Sequence, residues 1–245
     1  MNTAILGASV ARILSQLRHD PRTIAMMIVV PGVLMGLIYA MFGGAGPTTS
    51  SVLLIMLGLF PFVIMFLITS IAMLRERQSG TLERLMTTRI GKGDLLFGYG
   101  IAFGVAAAVQ ASVAAACAYL LFGLDTAGSA ALLVLIAVMT ALLGVGLGLL
   151  CSAFARTEFQ AVQLLPVVVI PQILLCGLFV PRDEMAGWLQ AVSDVLPLSY
   201  AVDALQQVGA NADPTVTLWR DLIVVGGCVI AGLALAAATL RRRTA

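Results

Sequence analysis

Side chains able to make or break covalent bonds are scarce in this chain. There is one histidine, His19, beside Asp20 and among arginines, the setting of an ordinary surface residue. Cys117, Cys151, Cys176 and Cys228 all sit in apolar runs, with no CxxC and no Cys/His cluster, and read as small packing residues. No Gly-x-Ser-x-Gly elbow, HExxH helix or acidic metal cluster is present. Gly91-Lys92-Gly93 lacks the upstream glycine and the hydroxyl residue of a phosphate loop, so the chain has no ATP site of that kind. What it does have is an island of charge. Arg75–Asp94, RERQSGTLERLMTTRIGKGD, holds eight of the 26 formal charges. The chemistry available there is docking. Gly80 interrupts the segment, Thr81 can cap a helix, and Glu83 suits its first turn. Leu82, Leu85, Met86, Arg89 and Ile90 then share one face, and Glu83, Arg84 and Thr87 the other. On these residues alone, a docking helix and a solvated helix without a partner stand about evenly.

The elements that must position this island are apolar. The chain has 245 residues, 60% hydrophobic and 11% charged, with a mean hydropathy of +1.05. A soluble domain averages about 25% charge, and one water-soluble core could not hide this much apolar surface. The fold class is therefore all-α integral membrane. Six runs are long enough to cross about 30 Å of hydrocarbon in roughly 20 residues: Ile24–Phe42, Val52–Leu74, Leu95–Phe122, Ala130–Phe154, Ala161–Val180 and Leu222–Leu240. Asp94 can cap the third, with Gly91 and Gly93 freeing the chain before it. No signal-peptide pattern stands at the N-terminus, since the first long apolar run begins near Ile24. The runs hold no Asp, Glu, Lys or Arg between their ends. Ion-coupled carriers usually need such groups at mid-membrane, which argues against a secondary transporter.

Twelve of the fourteen cations fall on one side of a six-span arrangement: Arg12, Arg18, Arg22, Arg75, Arg77, Arg84, Arg89, Lys92, Arg156, Arg241, Arg242 and Arg243. Only Arg182 and Arg220 fall on the other. The positive-inside rule makes the first side cytoplasmic, with both termini inside. Residues 1–22 read as an interfacial helix, with Ile5, Ser9, Ile13 and Leu17 on one stripe. The outer loop, Pro181–Trp219, has Met185, Trp188, Leu189 and Val192 at helical spacing, then Pro197, then a second helical stretch from Tyr200 through Val208. Two short helices that dip into or lie on the outer membrane surface are expected, with Trp188 and Tyr200 in the interface belt. The whole of 1–245 reads as a single transmembrane domain, with 75–94 and 181–219 as its two functional loops.

Two stretches then resemble a known family. Arg75-Glu76-Arg77-Gln78-Ser79-Gly80-Thr81-Leu82-Glu83-Arg84-Leu85 is similar to the E-x-x-x-G-T-hydrophobic-E-x-hydrophobic segment of type-2 ABC transporter permeases, the membrane subunits of bacterial exporters of the daunorubicin/doxorubicin-resistance type. Cys176–Pro181, Trp188-Leu189-Gln190 and Leu196–Leu205 resemble that family's G-hydrophobic-F-x-P, W-L and P-L-S/T-Y motifs. The chain departs from the pattern at Arg89, where Pro is common, at Tyr99, where Lys is common, and at Gln206, where Arg is usual. The resemblance implies a permease that binds no cofactor itself and is not an enzyme. ATP and Mg would be bound by a cytoplasmic ABC ATPase, two copies of which would pair with two permease copies or with this chain and a paralogue. The location would be the bacterial plasma membrane, among lipids, with no nucleic-acid partner. ATPase coupling would fall to Glu76, Gly80, Thr81, Leu82, Glu83, Leu85, Met86 and Ile90, with the N-terminal helix packed beside them. The substrate path would run between the second and fifth spans, past Phe60, Phe62, Phe66, Gln163, Gln172 and Phe179, and suit an amphipathic, lipid-like or drug-like molecule. Such Phe and Gln residues in a span serve packing about twice as often. Trp188, Pro197 and Tyr200 would form an outer gate. Gly144, Gly146 and Gly148 read as close-packing positions. The alternatives are a membrane anchor that does not transport, or an intramembrane enzyme, for which the nucleophile–base pair is missing.

Overall fold

The computed structural model describes the backbone of residues 3–80 and 92–239 and the side chains of 6–80 and 97–239. Nine α-helices lie among the described residues: α1 (Thr3–Arg18), α2 (Pro21–Met41), α3 (Pro47–Gln78), α4 (Lys92–Leu120), α5 (Ala130–Cys151), α6 (Glu158–Leu175), α7 (Gly187–Ser193), α8 (Pro197–Ala210) and α9 (Val216–Thr239), with a 3-10 turn at Arg182–Glu184. Six are long and apolar enough to cross a membrane: α2, α3, α5, α6, α9 and the Phe97–Leu120 part of α4.

The helix boundaries differ from the hydropathy reading where caps and breakers intervene. α2 starts at Pro21, whose missing N–H suits the first turn, and Asp20 caps it by accepting from the Thr23 N–H at 3.2 Å. Asp94 lies within α4, which is described from Lys92 onward, and not at its cap. α6 stops at Leu175, five residues before the expected end, because Gly177 turns the chain at φ +92° and Pro181 follows.

α3 is the axis of the molecule. Its 32 residues make a rod of about 48 Å at 1.5 Å per residue, half as long again as the hydrocarbon layer. Leu53, Leu57, Phe62, Met65, Phe66 and Met73 along it are fully buried. α5 lies against it, with Gly144 over the Phe62 backbone and Gly148 over Phe66 and Thr69, where any Cβ would overlap those atoms. On its other side α5 meets α9, where Gly146 faces Gly232 backbone to backbone. All three glycines therefore serve the close helix approach that membrane packing relies on.

Of the three helices that do not span, α1 and α8 are packed. Ile13 of α1 is buried among Met27, Met73, Tyr99 and Phe103, and Ser9 abuts Gly98 of α4. α8 does not lie on a surface. Its Leu198, Val202, Leu205 and Val208 face is buried in the same core as α3, α5 and α9. α7, the short helix before α8, is exposed, with Trp188 71% accessible. Met185 lies just ahead of its first turn and not within it.

Candidate functional site

The last turn of α3 emerges from the bundle at the end that gathers most of the basic residues. Three of its side chains tie it directly to α1, to α6 and to the α5–α6 turn, and Arg12 carries the tie on to α4. Glu76 Oε1 accepts from Arg12 Nη1 at 3.0 Å and from Gln16 Nε2 at 3.4 Å, both on α1. Arg12 Nη2 also donates to the Tyr99 hydroxyl on α4 at 3.1 Å. Arg75 grips Glu158, at the start of α6, through Nε at 2.7 Å and Nη2 at 3.1 Å. Gln78 Nε2 donates to the Arg156 carbonyl in the α5–α6 turn at 2.7 Å. A rotation or slide of this turn therefore strains its bonds to α1 and α6 and, through Arg12, to α4.

The three ties differ in strength because they differ in exposure. The Glu76 side chain is 11% accessible and that of Arg12 28%. Burial pulls the Arg12 guanidinium down, but Tyr99 and Glu76 together hold it above its ordinary value, so it stays charged. The Arg75–Glu158 pair is open to solvent, at 60% and 47%, and an exposed pair contributes roughly 0.2–1 kcal/mol. Just beyond, Ser79 caps α3 and Gly80 adopts φ +69°, the left-handed conformation that ends a helix cheaply only at glycine.

Glu76 is thus placed differently from its assignment to the docking segment: it faces inward, onto α1 and α4. Gly80 is where the rod ends. Thr81, Leu82, Glu83, Leu85, Met86 and Ile90 lie outside the described residues. Arg12, Gln16 and Tyr99 went unnoticed as partners because nothing local links them to Glu76, 64, 60 and 23 positions away. One signal existed. Tyr99 stands where the family pattern favours Lys, and here the cation that meets Glu76 comes from α1 instead.

Beside this turn a groove of about 840 Å³ opens along α1, α2 and α3. Its long walls are apolar, with Val30 and Leu34 on α2 and Phe60, Ile64, Leu67 and Ile68 on α3. Its end at the last turn of α3 carries Asp20, Arg75 and Glu76. Of the residues expected along a substrate path, Phe60 lines this groove. Phe62 and Phe66 do not: both are wholly inaccessible, wedged against the glycine face of α5. They belong to helix packing. Gln172 is also buried, with Nε2 donating to the Val168 carbonyl at 3.0 Å and Oε1 unpartnered among the described residues. Gln163 and Phe179 are exposed. The six residues do not share one surface within this chain.

At the opposite end Arg182 organises the segment between α6 and α9. It pairs with Asp203 of α8 and with Asp194 and stands 5.4 Å from the Tyr200 ring centre. The Tyr200 hydroxyl donates to the Asp194 carbonyl at 2.7 Å. Pro197 opens α8 and Ser199 meets Ser193 at 3.1 Å. Tyr200 and Pro197 therefore lie in one folded unit with Arg182, whereas Trp188 points away on α7. His19 takes no part in either cluster, its Nδ1 lying 2.7 Å from the Ser15 carbonyl. Among the described residues no group of His, Cys, Asp and Glu could hold a metal ion.

Six apolar helices of spanning length, gathered round an overlong central helix whose end is clamped by its neighbours, define a multi-pass membrane protein. The ABC-2 type transporter family profile matches residues 5–208. The chain belongs to that family and is a transmembrane subunit of an ABC transporter. It is 30% identical over 156 residues to the probable multidrug ABC transporter permease YbhR of Escherichia coli (strain K12), a match covering 64% of this chain and 42% of that one. To the probable multidrug ABC transporter permease YbhS of the same organism it is 29% identical over 170 residues, 69% of this chain and 45% of the other. To the linearmycin resistance permease protein LnrN of Bacillus subtilis (strain 168) it is 28% identical over 138 residues, 56% and 36% of the two chains. The matches span less than half the length of these relatives.

Proposed function

We propose that this chain is the membrane subunit of an ATP-driven exporter of the plasma membrane, moving amphipathic molecules out of the cytoplasm or its inner leaflet. The basic end faces the cytoplasm, where a separate ABC ATPase binds ATP and Mg and docks on Gly80–Ile90. Two ATPase copies work with two permeases, the second being another copy or a paralogue. The observation that carries this reading is the clamp on the last turn of α3. A docking segment hung directly from a helix of about 48 Å, itself tied to α1, α4 and α6, converts a push at one end into movement of the bundle. The names of the relatives, two multidrug permeases and a linearmycin resistance permease, support an amphipathic drug-like substrate. The exposed apolar face of α6, with Phe159, Val167 and Leu174, supports a second permease beside it.

The test is co-expression with the ABC ATPase encoded nearest to this chain's gene, followed by pull-down and ATP turnover in reconstituted vesicles. Complex formation is expected, with turnover that responds to Gly80→Ala and Glu83→Ala. If no ATPase subunit co-purifies, or both variants leave turnover and transport unchanged, the reading fails.

A further inference from the structure

We propose that residues 177–196 form a strap that closes over the end of α6 and opens as a unit, with Arg182 as its pin. This deepens the exporter reading and rests on it for what passes when the strap opens, though not for the opening itself. Of residues 177–196, Ser193 alone is buried. Phe179 and Val195 are 68% and 78% accessible, and Leu178 reaches the core only in part. α8, which follows directly, is the reverse: Leu198, Ala201, Val202, Ala204 and Leu205 are wholly inaccessible. A segment that buries little apolar surface of its own opens at a smaller free energy than the core it lies on. The border between the two falls at Pro197, where α8 begins, and Gly177, at φ +92°, supplies the hinge at the other end.

What holds the strap is polar, and it is fastened to two helices. On α8, Asp203 pairs with Arg182, the Tyr200 ring lies under the same guanidinium, and the Tyr200 hydroxyl donates to the Asp194 carbonyl. At the end of α6, the Leu175 carbonyl accepts from Ser193 Oγ at 2.8 Å, and Ser199 Oγ of α8 joins that contact from 3.4 Å. Arg182 is the pin because its side chain is only 16% accessible, so its separation from Asp203 leaves charge poorly solvated on both sides. It also folds back over the hinge, with Cγ 3.6 Å from a Cβ built on Gly177. α8 in turn is seated hard on α3: a Cβ on Gly58 would overlap Leu205, and one on Gly209 would overlap Leu54. A shift of α3 therefore carries Ser199, Tyr200 and Asp203 past the end of α6, and these are the points at which the strap is fastened. Next to the hinge lie Cys176 and, one turn earlier on α6, Gln172, both buried while the strap is closed.

The experiment uses the full chain in lipid nanodiscs, with hydrogen exchange and N-ethylmaleimide labelling of Cys176 both located by mass spectrometry. Amides of residues 182–196 are expected to exchange faster than those of α8. Arg182→Met should raise that exchange and the Cys176 labelling rate by about tenfold, the scale of one charge-assisted hydrogen bond, while α8 and the labelling of Cys151 stay as they were. Ser193→Cys with Ser199→Cys supplies the opposite variant and serves if Arg182→Met does not fold. The two hydroxyls stand 3.1 Å apart, and a disulfide between the new thiols should slow exchange of the strap below wild type, with reduction restoring it. Equal exchange of the strap and α8 in the wild type, a joint rise of both in Arg182→Met, or an oxidised lock that changes nothing would overturn the proposal. ATP turnover with the partner ATPase is measured in the same nanodiscs and is expected to fall in the oxidised lock and return on reduction. Normal turnover with the strap locked sinks its part in the cycle alone, and a strap that opens in a chain that binds no ATPase sinks the exporter reading alone.

Discussion

Glu76 shows how much one side chain can connect. Its carboxylate joins α3 to α1, and through Arg12 to Tyr99 of α4. Because the pair is mostly buried, removing one partner strands the other. Arg12→Met and Glu76→Gln are each expected to destabilise by about 1–3 kcal/mol, and a double-mutant cycle in detergent should return a coupling of similar size. Additive effects would mean that the two residues do not act as a unit. At the far end, burial holds the Asp203 carboxyl above its usual range, against the opposing pull of Arg182. The sign follows from linkage. A carboxyl whose folded value is raised favours the folded state while protonated, and that contribution is lost as pH rises from the ordinary carboxylate range through the raised value. Arg182→Met removes the cation paired with Asp203, so the raised value should climb and the loss should extend to higher pH. Melting temperature measured across the acidic range, for the wild type and this variant, checks it. Parallel curves would refute the assignment.

At the scale of elements, the α3–α5 pair decides whether the bundle forms. Gly148 faces Phe66 and Thr69 so closely that a methyl group has no room. Gly148→Ala is expected to cost about 1–3 kcal/mol through forced separation of the two helices, read as a lower melting temperature and faster proteolysis. Gly227 of α9, with nothing within 4 Å of a built Cβ, is the control: Gly227→Ala should be neutral or slightly stabilising, as alanine favours helix over glycine by about 1 kcal/mol. Gly80 is a third case. Among the described residues nothing lies within 4 Å of a Cβ built on it, but its φ is positive, so Gly80→Ala carries backbone strain, about 1–2 kcal/mol. Global stability should therefore change little while the exit direction of the chain beyond α3 changes. Hydrogen exchange at the amides of residues 75–80 should rise selectively. Uniform protection would show that the turn does not need the left-handed residue.

At the scale of the whole molecule, a push at the basic end has a direct path to the opposite one. α3 is continuous from Pro47 to Gln78, and α8 packs its buried face into the core that α3 anchors. The proposed docking of an ATPase on Gly80–Ile90 would thus reach the Arg182 cluster through one helix rather than through a chain of loops.

How much of this was written in the sequence depends on the range of the interaction. Six spans and the breaks between them were legible, because crossing a bilayer demands a contiguous apolar stretch whose backbone bonds are satisfied within it. The glycines of α5 were legible as close-packing positions for the same reason: a missing side chain is a local property. The inward turn of Glu76, the burial of Phe62 and Phe66, and the seating of α8 inside the bundle were not. Each depends on which face of a helix meets which neighbour, and a helix apolar all round carries no periodicity that reveals its buried side. The charge island at Arg75–Asp94 was visible from composition alone. That its first residues grip α1 and α6, and through Arg12 α4, was decided only when residues up to 83 positions apart met.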